Sequence, residues 1–112
     1  MTKIVFYKKN DLFVGFKLTG HTNFAAHGED VLCAGISAIS QSTCLGIEKV
    51  LRIKAKFKKD DNKGFLKLDL NKNSKEEIEK AQVLIQTMYQ SLLDISIGNE
   101  KYMNVEVYDE IY

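Results

Sequence analysis

The residues best suited to chemistry in this sequence are Cys33 and His21. A thiolate attacks a carbonyl carbon. An imidazole within hydrogen-bond reach can take the thiol proton and later hand one to the leaving group, which is how a Cys–His pair performs acyl transfer. His21 follows Gly20 at the end of an apolar, strand-like run, and Cys33 follows Asp30-Val31-Leu32 at the head of a helix-like run. Between them the chain crosses a loop bracketed by Gly20 and Gly28, and a return loop of that length can bring His21 beside Cys33. With Asp30 as N-cap, Cys33 is expected in the first helical turn, where unpaired backbone N–H groups and the positive end of the helix dipole favour a thiolate. Ser37 is one turn further on, near enough to hydrogen-bond there or to help hold an oxyanion. The residues alone leave a second reading open: a cysteine so placed is often a small buried hydrophobe, and a histidine after a glycine is often a loop residue held by hydrogen bonds.

The rest of that helix face sharpens the choice without settling it. Cys33, Ser37, Ser40 and Cys44 recur at i, i+4, i+7 and i+11 and so share one side. Ala34, Gly35 and Ala38 add small residues, so another helix or a substrate backbone can come close. Cys33 and Cys44 cannot pair with each other. Eleven residues at about 1.5 Å each put their Cα atoms roughly 16 Å apart, and a disulfide needs about 7 Å or less. His21, His27, Asp30 and Cys33 have the donor chemistry for zinc, but their spacing matches no common finger or ribbon, and no metal or cofactor is expected.

These residues must be positioned by a small scaffold. Its 112 residues suit one domain spanning 1–112, with 45% hydrophobic and 28% charged residues as in ordinary globular chains. A net charge of +1 gives no global field toward nucleic acid or membrane. No run approaches the roughly 18 apolar residues a bilayer needs, and the N-terminus lacks a signal peptide's pattern; a cytoplasmic location is expected. Residues 3–7 and 12–18 read as a hairpin, with Ile4 and Phe6 facing Leu12, Val14, Phe16 and Leu18. Residues 30–48 read as a helix carrying a stripe of Leu32, Ile36, Ile39 and Ile47. Period-two alternation over 50–58 (Leu51, Ile53, Ala55 and Phe57 inward) and at Leu66, Leu68 and Leu70, around the turn 60–64, predicts a second hairpin.

Ser74 and Glu77 form a capping box for a helix through Ile78, Ala81, Ile85, Met88, Leu92 and Ile95, ended by Gly98 or Asn99. Residues 102–108 give a last strand with Met103, Val105 and Val107 inward. The order is ββαββαβ: an α+β domain with a mostly antiparallel sheet and two helices. Lys49, Arg52, Lys54, Lys56, Lys58, Lys59 and Lys63 make one stretch basic. It reads as a solvated strand face or as a patch for RNA, the latter pointing to a non-catalytic, ribosome-associated RNA-binding module.

Gly20-His21 followed by Gly28-Glu29-Asp30-Val31-Leu32-Cys33-Ala34-Gly35-Ile36-Ser37-Ala38-Ile39 resembles the signature of the ribosomal-processing cysteine protease family, Prp. Gly35 is a departure, standing where alanine is usual. The resemblance implies a cysteine endopeptidase that removes the N-terminal extension of a large-subunit ribosomal protein (the bL27 family) for ribosome assembly. Its catalytic dyad would be Cys33 and His21, supported by Gly20, Asp30 and Ser37, with Asp30 capping the helix or orienting His21. It further implies a homodimer and a loop over the active site. On this chain that substrate loop would be residues 22–29, held between Gly20 and Gly28, and the position of Phe24 within it suits contact with an aromatic substrate side chain. Direct nucleic-acid or membrane binding is not expected.

Overall fold

The computed structural model describes residues 1–20 and 27–109, with backbone only for 27–30. Strands β1 (Thr2–Lys9) and β2 (Leu12–Thr19) form the expected hairpin. Asn10 and Asp11 turn it with φ of 53° and 65°, the left-handed pair that matches strand twist in a two-residue turn. Helix α1 (His27–Leu45) runs on into a π-helical turn at Gly46–Val50. Then come β3 (Lys56–Asp60), β4 (Phe65–Asp69), α2 (Lys75–Ser96) and β5 (Met103–Asp109). The order is therefore ββαββαβ in a single domain. The sheet runs β3-β4-β2-β1-β5, antiparallel except where β5 lies parallel to β1. One face carries both helices. Ile4, Phe6, Phe16, Leu18, Leu66 and Leu68 meet Ile36 and Ile47 from the α1 side and Ala81, Ile85, Met88 and Leu92 from α2. The other face carries Lys17, Lys58 and Lys67 side by side across three strands, with buried Val5 and the Tyr7–Tyr108 ring pair beside them.

Several expectations are corrected. Strict alternation put Leu12 and Val14 on the core face, but β2 carries a bulge. Tyr7 pairs with Gly15 and Lys8 with Phe13, leaving Val14 as the extra residue. The slip turns Phe13 into the core against Phe6 and Tyr89, at ring-centroid distances of 5.5 and 5.3 Å. Gln82 of α2, itself buried, holds this bulge. Its Oε1 accepts from the Phe13 N–H at 2.9 Å and its Nε2 donates to the Phe13 carbonyl at 2.8 Å. The strand expected over 50–58 begins only at Lys56, because helical backbone persists to Val50 and Arg52 then turns the chain with φ 59°. Ile53 is still buried, but Phe57 on the edge strand stays 42% exposed. Val107 is likewise open at the opposite edge. Val31–Val50 is, by length and composition alone, apolar enough to cross a membrane, contrary to expectation. In this fold its Ile36, Cys44 and Ile47 are buried in the core.

The α2 boundaries follow their chemistry closely. Ser74 Oγ accepts from the Glu77 N–H at 3.2 Å while the Glu77 carboxylate reaches back to the Ser74 N–H, and Gly98 ends the run with φ 85°.

Candidate active site

Cys33 is half-buried where α1 crosses the start of β1 and the end of β2. Its Sγ lies 3.9 Å from Thr2 Oγ1, and the same hydroxyl donates to the Gly20 carbonyl at 3.3 Å. Thr2 is pinned in turn by its N–H, which donates to the Tyr102 carbonyl at 2.8 Å as β1 joins β5. Gly20 is required where it stands. Its φ is +89°, and a Cβ there would come within 2.5 Å of the Met1 carbonyl oxygen. The peptide entering His21 therefore starts one hydroxyl away from the Cys33 sulfur. His21 and Phe24 themselves lie outside the described residues, as does most of the segment expected to loop over the site.

The helix starts earlier than its acidic signal suggested. Acidic side chains suit the N-cap and the whole first turn alike, and Asp30 falls inside the helix, not at its cap. Gly28 is helical too, so the expected loop 22–29 is shortened by residues 27–29. Cys33 becomes the seventh residue of α1. The unpaired N–H groups of the first turn then lie roughly 5 to 9 Å back along the axis, and the dipole effect fades beyond that turn.

From Cys33 a groove of about 300 Å³ runs along α1 toward the β3–β4 turn, past Ser37, Gln41, Lys59, Asp61 and Phe65. Ser37 Oγ accepts from Gln41 Nε2 at 2.6 Å, and Lys59 Nζ donates to Gln41 Oε1 at 3.2 Å and pairs with Asp61 at 3.5 Å. The rest of the shared helix face is structural. Ser40 is buried and donates to the Ile36 carbonyl at 2.8 Å. Cys44 is buried, and that desolvation, helped by the charge of Glu48 and eased by Lys59, pushes its thiol up to about 12. Both cysteines are free, as the spacing required. Among the described residues no three His, Cys, Asp or Glu side chains cluster as a metal would need.

Sequence reasoning missed Thr2, Gln41 and Lys59. Gln41 sits at i+4 from Ser37, so the helix face that singled out Ser37 also contained it. Thr2 and Lys59 arrive through tertiary pairing, which no local spacing announces.

A family model described as cysteine protease Prp matches residues 1–104. The chain belongs to that family. It is accordingly a cysteine peptidase. The ribosomal processing cysteine protease Prp of Bacillus subtilis (strain 168) is 33% identical over 86 residues, covering 70% of this chain and 71% of that protein. Among solved structures, SMU.848 from Streptococcus mutans superposes with a TM-score of 0.88 at 20% identity, over 98% of this chain and 96% of the other. The essential ribosomal processing protease Prp of S. aureus, in complex with a substrate peptide, gives a TM-score of 0.81 at 19% identity, over 96% and 100%. At these identities the two structures show a shared Prp fold.

Proposed function

We propose that this Prp-family chain is a ribosomal-processing endopeptidase in which Cys33 is the nucleophile and His21 the general base. Its substrate would be the N-terminal extension of a large-subunit ribosomal protein of the bL27 family. The observation that carries the reading is the half-buried Cys33 thiol, opening on a groove and sharing the Thr2 hydroxyl with the carbonyl of Gly20, the residue before His21. The Bacillus subtilis relative is named for ribosomal processing. The S. aureus protease has been seen with a substrate peptide and with a covalently linked product peptide, as a thiol route would allow.

In this mechanism His21 takes the Cys33 proton and the sulfur adds to the scissile carbonyl. The tetrahedral oxyanion collapses, the C–N bond breaks, and the imidazolium protonates the departing amine. Water, losing a proton to His21, attacks the thioester and releases the new carboxylate with the thiol restored. A cytoplasmic homodimer acting beside ribosome assembly completes the proposal. Family membership favours this peptidase over a non-catalytic RNA-binding module.

The test is incubation with the extended ribosomal-protein precursor, followed by mass spectrometry. Cleavage at one bond near the N-terminus is expected from the wild type and not from His21→Ala. A wild-type enzyme that cuts unrelated peptides but leaves the extension intact would overturn the substrate assignment.

A further inference from the structure

We infer that Gln41 and Lys59 are positioning residues that lock Ser37 as a hydrogen-bond donor into the Cys33 groove, for the oxyanion that forms on the scissile carbonyl of the bound peptide. The inference rests on the peptidase reading above. It starts from polarity alone. A lysine ammonium only donates, so the Gln41 atom 3.2 Å from Lys59 Nζ has to be the amide oxygen. The orientation of a glutamine amide is ordinarily ambiguous; here the cation settles it. The amide nitrogen must then face Ser37, at 2.6 Å, and because that nitrogen also only donates, Ser37 Oγ has to accept. The single Ser37 hydrogen is left over.

Its neighbours spend theirs differently. Ser40 Oγ donates to the Ile36 carbonyl and Thr43 Oγ1 to the Ile39 carbonyl, the usual return bond to the preceding turn. Among the described residues the Ser37 hydrogen has no such acceptor, and Ser37 lines the groove one turn from Cys33. With the backbone N–H groups of the first turn set well back from the sulfur, a side-chain donor at this position has a clear use. Lys59 draws electron density through the amide and makes the Ser37 hydrogen a better donor. Asp61, at 3.5 Å, keeps the Lys59 ammonium on the rim.

Gln41→Glu tests this by reversing the polarity of the middle link. The new carboxylate still pairs with Lys59, but it accepts from Ser37 and draws the hydroxyl hydrogen out of the groove. Peptide cleavage should lose about 100- to 1,000-fold in kcat with little change in KM, in line with removal of one transition-state donor. Ser37→Ala should lose a similar factor, and the double variant no more than Ser37→Ala alone. Alkylation of Cys33 by iodoacetamide should keep its wild-type rate in all three. Lys59→Met, which frees the amide to flip, should lose a few-fold in kcat and serves if Gln41→Glu fails to fold. Wild-type kcat in Gln41→Glu, or in Lys59→Met where that stands in, would overturn the inference. So would losses that simply multiply in the double variant. Cleavage that survives Cys33→Ala would instead overturn the peptidase reading beneath it.

Discussion

The Thr2 hydroxyl stands 3.9 Å from the Cys33 sulfur while donating to the Gly20 carbonyl at 3.3 Å. A hydroxyl has one hydrogen and two lone pairs. With the thiol neutral, Thr2 donates to Gly20 and accepts from S–H. Once the sulfur is a thiolate, the same hydrogen can swing to it. Thr2→Val keeps the shape and the β-branch but removes this response. Alkylation of Cys33 near neutral pH should slow about three- to tenfold, the worth of one ordinary hydrogen bond at this long 3.9 Å contact, and Thr2→Ser should restore it. Equal rates in wild type and Thr2→Val would show that the hydroxyl does not act on the sulfur.

Gly20 holds the other end of this link. Its φ of +89° and the Met1 carbonyl beside it leave no room for a methyl group. Gly20→Ala should destabilise the fold by about 2 kcal/mol or more through strain and displacement of the β1 start. Urea unfolding measures it; a variant within experimental error of the wild type would contradict the geometry.

The two thiols should separate cleanly. With the Cys44 thiol pushed up to about 12 by burial, a disulfide reagent at pH 8 should titrate one thiol rapidly and the second only on unfolding. The sign of the pH effect follows. Cys44 is protonated in the fold well above the unfolded-state value of 9.0, so its contribution is complete below pH 9 and is lost as pH climbs toward 12. Over that window stability should fall by up to about 1.4 kcal/mol per pH unit more than in Cys44→Ala. Equal alkaline slopes in the two proteins would count against it.

Gln82 is the polar keystone of the β2 bulge. Gln82→Leu would leave the Phe13 N–H and carbonyl unpaired inside the core, at a cost of about 2–4 kcal/mol. Denaturant midpoints for this variant and for Gln90→Leu, an exposed α2 position outside this network, make the comparison, with the loss expected only in Gln82→Leu.

Local rules carried the elements whose signals are local. The Ser74–Glu77 capping box, the α2 stripe and the Asn10-Asp11 turn all fall where side-chain chemistry at fixed spacing puts them. They failed where tertiary pairing decides. The Val14 bulge is invisible to a strict period of two, and it alone moves Phe13 into the core. The 50–58 alternation was outvoted by a helix that continued to Val50. Asp30 signalled a helix start, but an acid fits the first turn as well as the cap, and those few residues moved Cys33 out of the first turn. At the site, Cys33, Ser37 and Gly20 were legible from type and spacing. Thr2 and Lys59 were not, because β1–β5 pairing and the β3–β4 edge bring them in from afar.

Acid-quenched mass spectrometry during turnover of a peptide substrate tests the central claim most directly. The account predicts an acyl adduct on Cys33, formed and lost within the turnover time, and neither adduct nor cleavage in Cys33→Ala. An adduct on another residue, or full-rate cleavage by Cys33→Ala, would contradict it.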